Sequence, residues 1–160
     1  MRAKSGFTLV EILIVVVILG ILAAIVIPQF TDASTEAKTS SLCSDLQTVR
    51  SQIELYKIQH TDNLPGVAGT GHATDADFSE ALTGMTNSSG IVQTTSGDGV
   101  VGPYLQKIPK NAFTGSTGVN SGTADPCDIP IDATGANYGW YFNTNTGAFN
   151  ACDSTDHSAL

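Results

Sequence analysis

A run of apolar residues near the N-terminus constrains this chain more than any other feature. From Ile12 to Ile27 every residue is apolar or glycine, and Phe7, Leu9 and Val10 extend the apolar zone toward the N-terminus. A helix needs roughly 20 predominantly apolar residues to cross a bilayer. The sequence therefore predicts a membrane-spanning helix in the first thirty residues.

The charges on the two sides of this run differ in sign. Arg2 and Lys4 precede it, whereas Asp32 and Glu36 follow it. Because basic flanks stay in the cytoplasm, the N-terminus is predicted to be cytoplasmic and the rest of the chain to lie outside. A secretory signal peptide has the same basic start. However, the segment IVIPQF at 25–30 takes the place of a small-residue cleavage site, which favours a single-pass anchor.

Glu11 is an unusual residue for such a helix, because a carboxylate at the centre of a span costs roughly 2.5–3.5 kcal/mol. One interpretation places Glu11 at the membrane interface, where its side chain reaches water. A second interpretation assumes that the chain is cut between Gly6 and Phe7. The freed amino group of Phe7 would then accompany the positive end of a helix dipole. An unpaired Glu11 would dock beside the Phe7 of a second copy, because pairing lowers the cost of a charge in apolar surroundings.

The segment KSGFTLVEILIVVVILGILAAIVIPQF closely resembles the leader and N-terminal helix of type IV pilins and type II secretion pseudopilins. The residues that carry the resemblance are Gly6, Phe7, Thr8, Leu9, Glu11 and Pro28, together with the apolar run. The resemblance implies cleavage after Gly6 and N-methylation of Phe7 by a prepilin peptidase and methyltransferase. It also implies that Glu11 and Phe7 act in assembly between subunits.

Pro28 predicts either the end of the spanning helix or a kink in it. There is no Gly or Pro from Thr31 to His60, which favours a helix that resumes. An apolar stripe at spacings of three and four residues predicts an amphipathic stem. Its members are Leu42, Leu46, Val49, Ile53 and Tyr56. The turn sequence NLPG at 63–66 ends this stem.

The predicted fold class is α+β, with a long N-terminal helix packed on a small antiparallel sheet as in pilins. The predicted organisation has a leader at 1–6, a transmembrane assembly helix at 7–28, an amphipathic stem at 29–62 and a small globular domain at 63–160.

Within the globular domain, residues 74–85 are predicted to form a short helix capped by Thr74, with Phe78, Leu82 and Met85 on one face. The polar, glycine-rich stretch 86–103 is predicted to be a loop. Four apolar or aromatic residues of the following segment are expected to pack on the stem and anchor the segment there. These anchor residues are Tyr104, Leu105, Ile108 and Phe113.

The stretch NYGWYFNTNTGAFNAC at 137–152 predicts two strands joined by a hairpin, because Tyr138, Trp140 and Phe142 alternate before a glycine-containing turn. A third strand is expected around 129–131. The segments LQTVRSQIELYKIQH, GPYLQKIP and GWYFNTNTGAF resemble parts of the type II secretion major pseudopilin.

Three cysteines are present, without a CxxC pair that would suggest a zinc site. Cys127 and Cys152 flank the aromatic stretch, and an extracytoplasmic location favours oxidation. We predict a disulfide between them, with two independent thiols as the alternative. Cys43 lies beside the stem stripe and is expected to pack as a small apolar residue.

The resemblance to the major pseudopilin also implies an acidic, glycine-containing calcium loop near the C-terminus, but no such run is found. Asp153 and Asp156 are suitable oxygen ligands at unsuitable spacing, and a solvated polar tail is the favoured alternative. We therefore expect no cofactor, with calcium as the remaining candidate.

The sequence disfavours nucleic-acid binding and catalysis. A formal net charge of −8 repels phosphate backbones, and no catalytic motif appears around the three scattered histidines. The resemblance to pilins and pseudopilins implies a structural pseudopilin that polymerises through its N-terminal helix into a periplasmic filament and helps to drive protein secretion. Its other expected partners are an inner-membrane assembly platform and further pseudopilins. A type IV pilus pilin and a membrane-tethered binding module are the alternatives.

Overall fold

The computed structural model describes residues 6–67, 75–123, 138–158 and 160. The chain divides into two compact units, Met1–Lys38 and Thr39–Leu160. Three predicted features lie outside the described residues: the cap at Thr74, the strand around 129–131 and Cys127. The proposed domain boundaries remain predictions.

A single long helix, α1, extends from Leu9 to Gln59 and contains Pro28. The prediction that the helix resumes after the proline is therefore confirmed, whereas a kink at Pro28 stays a prediction. The helix continues past Pro28 because the residues from Thr31 to Gln59 include no glycine or proline that would break it. The side chains of Thr31 and Thr35 also bond to carbonyl groups one turn back in α1, at Ile27 and Thr31.

The core of the second unit forms on the apolar stripe of α1. All five predicted stripe residues, from Leu42 to Tyr56, are buried. Helix α2, Asp75–Thr83, contributes Phe78, Ala81 and Leu82 to the same core. The remaining members are Ile108, Val119, Trp140, Phe142, Phe149 and Ala151, with Leu64, Tyr104, Leu105 and Phe113 packed at the edge. The four anchors predicted from the sequence thus join the core that the stem builds.

Two small sheets complete the fold. The first has the order β2-β1-β3 and consists of Met85–Asn87 (β1), Val92–Gln93 (β2) and Val100–Val101 (β3), all antiparallel. The second has the order β4-β5-β6 and consists of Val119–Gly122 (β4), Trp140–Asn143 (β5) and Phe149–Ala151 (β6). A last helical turn, α3, covers Thr155–Ser158. The α+β class with a long N-terminal helix is confirmed.

The hairpin between β5 and β6 is confirmed, and its turn shows why this sequence reverses direction. The Asn143 side-chain oxygen accepts hydrogen bonds from the amides of Asn145 and Thr146 at 2.9 and 3.0 Å. Gly147 has a φ of 76°, a conformation that costs glycine little. Asparagine and glycine are the turn residues that this geometry favours.

Three details of the sequence prediction were wrong. The stretch 86–103, predicted to be a loop, contributes β1, β2 and β3, whose short lengths hide any alternation. Met85 belongs to β1 and not to the helical face of Phe78 and Leu82. In addition, β4 pairs with β5 in parallel, so the second sheet is mixed rather than antiparallel.

All four residues of β5 are buried, so neither face of this strand lies in solvent. Trp140 and Phe142 belong to the core. Tyr141 lies beside Gly122 of the neighbouring strand β4. If Gly122 carried a β-carbon, this atom would lie only 3.1 Å from the Tyr141 hydroxyl oxygen. The absence of a side chain at Gly122 leaves room for the Tyr141 ring beside the neighbouring strand.

Candidate assembly site and the polar clusters of the second unit

The start of α1 is closed by a reciprocal capping box between Thr8 and Glu11. Glu11 Oε2 accepts hydrogen bonds from the Thr8 amide at 2.8 Å and the Thr8 hydroxyl at 2.7 Å. The Glu11 amide donates in turn to Thr8 Oγ1 at 3.3 Å. This is the pattern in which a threonine and a glutamate three residues on satisfy the free amides of a helix start. The Glu11 carboxylate therefore has partners within its own chain, which the interpretation of an unpaired charge had missed.

The predicted processing site lies just before this box. Gly6 and Phe7 precede the first helical residue, and Phe7 is 80% exposed. A side-chain carbon built on Gly6 would meet no atom within 4 Å. The peptide between Gly6 and Phe7 is thus uncovered by the described part of the chain. Cleavage and methylation at this site stay predictions.

The N-terminal half of α1 exposes apolar side chains in every direction. From Leu9 to Ile27 its large apolar residues are all at least half exposed, as is Phe30. Within the described residues, α1 is the one helix whose length and composition suit a membrane span. A helix that is apolar all round has to be covered by lipid or by other helices.

Cys43 and Cys152 have different surroundings. Cys43 is a half-buried free cysteine on α1, and its packing role stays a prediction. Cys152 is buried after β6, and its amide donates to the Gly139 carbonyl at 3.0 Å. Because Cys127 lies outside the described residues, the predicted Cys127–Cys152 bridge stays a prediction.

The two weak calcium candidates have different environments. Asp153 has a side chain that is only 4% exposed and contacts Asn111 and His157, whereas Asp156 is exposed on α3. The described residues hold no group of three or more His, Cys, Asp or Glu side chains that could bind a metal ion. His157 and Asn111 had no place in the sequence prediction, since neither forms a motif.

Arg50 joins α1 to the C-terminal segment. Its guanidinium donates to the Phe149 carbonyl at 2.9 Å, to Asn150 Oδ1 at 2.9 Å and to the Leu160 carbonyl at 2.8 Å. No role was predicted for Arg50 from the sequence. Nothing in the local sequence marks its partners, which lie about a hundred residues away.

A buried aromatic and polar cluster lies where α1 ends. His60 is fully buried between Tyr56 and Thr86, and Tyr104 packs edge-on against Tyr56 with ring centroids 5.2 Å apart. Burial raises the pKa of Tyr56 to about 12, with a further contribution from Tyr104. Burial also raises the pKa of Tyr104 and of Asp45.

The chain is similar to known proteins mainly through its N-terminal part. Residues 1–27 match the family model described as the prokaryotic N-terminal methylation motif. Type II secretion system core protein G of Pseudomonas aeruginosa is 44% identical over 59 residues, which cover 37% of this chain and 42% of that protein. The protein of the same name from Dickeya chrysanthemi is 38% identical over 60 residues, or 38% of this chain and 39% of its own length.

A second kind of relative matches over a longer stretch. A fimbrial protein of Pseudomonas aeruginosa is 32% identical over 102 residues, which cover 63% of this chain and 66% of that protein. By comparison, this chain matches only about two fifths of the length of the two core proteins G. No solved structure matches. The apolar α1 supports anchoring in a membrane.

Proposed function

We propose that this member of the type IV pilin and type II secretion pseudopilin family is a type II secretion pseudopilin. It polymerises through α1 into a short periplasmic filament that helps to drive protein secretion. The observation that carries the proposal is the start of α1, where the carboxylate of Glu11, three residues after the Thr8 cap, lies in a stretch of helix that is otherwise apolar on all sides as far as Ile27. Glu11 caps its own helix, and its position inside the apolar stretch also lets the same carboxylate meet a positive group of a neighbouring subunit.

The Thr8–Glu11 box refines how assembly works. Inside one chain the carboxylate accepts two hydrogen bonds and compensates the helix dipole, which lowers its cost in the membrane. After cleavage at Gly6, the freed ammonium group of Phe7 on a neighbouring subunit offers Glu11 a full positive charge. The ion pair competes with the neutral Thr8 donors and is the stronger partner. Docking thus replaces a weaker internal contact.

The outer face of α1 in the second unit also suits contact with a further subunit. Residues at helical spacing on this face are all exposed and uncharged: Ser40, Ser44, Gln47, Thr48, Ser51, Leu55 and Ile58. The Thr48 and Ser51 hydroxyls bond to carbonyl groups of α1 itself, at Ser44 and Thr48. Covering this face therefore desolvates no charge and few unsatisfied hydroxyls, which makes it inexpensive to bury.

The remaining features of the proposal concern processing and location. A prepilin peptidase and methyltransferase would act at Gly6 and Phe7. The N-terminus would remain cytoplasmic, and the second unit would fold in the periplasm. An inner-membrane assembly platform and other pseudopilins would receive the processed subunit. In the oxidising periplasm, Cys127 and Cys152 would form a disulfide, for which the burial of Cys152 is favourable.

A pilin of a surface pilus is the second candidate, because the fimbrial relative matches over 102 residues, a longer stretch than either core protein G. Deleting the gene from the native strain distinguishes the two. The pseudopilin proposal predicts that secreted enzymes accumulate in the periplasm while surface filaments remain. Loss of surface filaments with normal secretion would instead support the pilus pilin.

N-terminal mass spectrometry of membrane-extracted protein tests the subunit class itself. We expect a mature chain that starts at methylated Phe7. An intact Met1 would contradict processing, and a chain that stays monomeric and functional with Glu11→Ala would favour a membrane-tethered binding module.

A further inference from the structure

The C-terminal segment is fastened to a distant loop by three polar side chains. Asp153, just after β6, accepts a hydrogen bond at Oδ1 from Asn111 Nδ2 at 3.0 Å. Its other oxygen, Oδ2, accepts from His157 Nδ1. The His157 ring packs on Phe113 with the ring centroids 4.5 Å apart. We refer to Asn111, Asp153 and His157 as the C-terminal clasp.

Asn111 is the fixed member of the clasp. The residue is fully buried, and its amide nitrogen also donates to the Gly139 carbonyl at 2.8 Å. Its side-chain oxygen accepts from the Phe113 amide at 2.8 Å and the Thr114 amide at 3.3 Å. Every polar atom of the Asn111 side chain is thus bonded, and one of its donors points at Asp153. A buried polar network in which each group is satisfied gives a defined, rigid junction.

The donor set around Asp153 does not fit a calcium ion. Calcium takes six to eight oxygen ligands at 2.3–2.6 Å. Both Asp153 oxygens instead face nitrogen donors, whose hydrogens a cation would have to displace. The second candidate, Asp156, is exposed on α3, and the described residues contain no metal-binding group of three. Calcium chemistry is therefore not assigned to this pair.

We propose that the C-terminal clasp holds the segment 152–158 to the loop at 111–113 without a cation at Asp153. The N–H donors of Asn111 and His157 satisfy the two Asp153 oxygens that a cation would otherwise bind. The inference concerns how the second unit holds its C-terminal segment, and it does not depend on the filament function.

Thermal unfolding of the full chain in detergent micelles tests the proposal. The variants are Asp153→Ala and the matched control Asp156→Ala, each measured in excess EDTA and in excess calcium chloride. Loss of the clasp in EDTA should lower Tm by roughly 4–8 °C for Asp153→Ala, and Asp156→Ala should behave like the wild type. The change in Tm on adding calcium should be the same in the wild type and in Asp153→Ala.

Two results would overturn the proposal. The first is a rise in wild-type Tm with calcium that Asp153→Ala abolishes, because this would make Asp153 a ligand. The second is an unchanged Tm of Asp153→Ala in EDTA, since the clasp would then fasten nothing. If Asp153→Ala does not fold, His157→Ala removes the more exposed member, and the same comparison of EDTA with calcium decides.

Discussion

The imidazole of His60 lies flat against the ring of Tyr56, with ring centroids 3.7 Å apart and planes 9° apart. His60 Nδ1 lies 2.8 Å from the Tyr56 carbonyl oxygen, which can only accept, so Nδ1 carries the proton. In the neutral ring, Nε2 is then the acceptor for the Thr86 hydroxyl at 2.9 Å. A single residue at the end of α1 thus bonds back to its own helix and across to β1.

The first prediction concerns the bond between His60 and Thr86. Thr86→Val keeps the shape of the side chain but leaves Nε2 of the buried imidazole without a donor. An unsatisfied buried acceptor costs about 1–3 kcal/mol, so chemical denaturation should show a loss of unfolding free energy of that order. In the His60→Phe background the same substitution should cost much less, because no acceptor remains. Equal losses in both backgrounds would contradict the assigned bond.

The second prediction concerns the stability of the second unit at alkaline pH. The Tyr56 hydroxyl is buried and has no hydrogen-bond partner among the described residues. The pKa of Tyr56 is about 12 in the folded protein, against 10.0 for the ordinary group. Above pH 10 the unfolded chain therefore loses a proton that the folded chain keeps, and stability falls as the pH rises.

For Tyr56 this loss amounts to roughly 2–3 kcal/mol by the time the pH reaches the folded pKa. Tyr56→Phe cannot ionise, so its stability should fall less between pH 9 and pH 11 than that of the wild type. At neutral pH the variant should be at least as stable, because it removes an unsatisfied hydroxyl. Urea titrations at several pH values measure both effects. Parallel curves for the two proteins would mean that Tyr56 does not ionise differently on unfolding.

How much of the fold the sequence predicts depends on the range of the signals. The stripe from Leu42 to Tyr56 predicts its own burial, because a helix repeats its faces every three to four residues. The turn at Asn143–Gly147 is equally local. By contrast, strands β1 to β3 have two or three residues each, too few to show a period of two.

The polar contacts of the candidate site and of the second unit also differ in whether a local sequence pattern predicts them. The spacing of Thr8 and Glu11 is a local pattern that the sequence contains, although its consequence for the charge of Glu11 went unnoticed. The bonds from Arg50 to β6 and from Asn111 to Asp153 join residues 42 or more positions apart. No spacing rule connects such residues, because the chain path between them decides which side chains meet.

The third prediction compares two isoleucines of α1. Ile53 is buried in the core, whereas Ile58 is 80% exposed on the uncharged outer face. Ile53→Ala should cost about 2–5 kcal/mol of unfolding free energy, because it leaves a cavity. Ile58→Ala should cost close to nothing in the isolated subunit. The proposed contact between subunits at the outer face predicts a different result for Ile58→Asp. This variant should fold normally and assemble poorly, and cross-linking in membranes measures its assembly.

The fourth prediction concerns Arg50 and its three acceptors. A lysine keeps the positive charge but cannot reproduce the planar fork that reaches the Phe149 carbonyl and Asn150 together. Arg50→Lys should therefore lower the unfolding free energy by about 1–3 kcal/mol. It should also speed amide hydrogen exchange in β6 more than in β1. Lys57→Arg, at a surface pair with Glu54, is the control and should change neither. Uniform exchange in Arg50→Lys would refute a specific tie to β6.

The last prediction separates the two partners of Glu11. Glu11→Gln can still accept from the Thr8 amide but can no longer form an ion pair with a neighbouring ammonium group. We therefore expect the variant to insert in the membrane, to be cleaved after Gly6 and to remain unassembled, with filament formation at least about tenfold lower because breaking a buried pair costs 3–5 kcal/mol. Thr8→Val removes the hydroxyl donor and leaves the charge, so it weakens the internal contact and should still assemble. Glu36→Gln, an exposed acid on the same helix, is the control. Normal assembly by Glu11→Gln, at the wild-type rate, would show that the carboxylate serves only to cap its own helix.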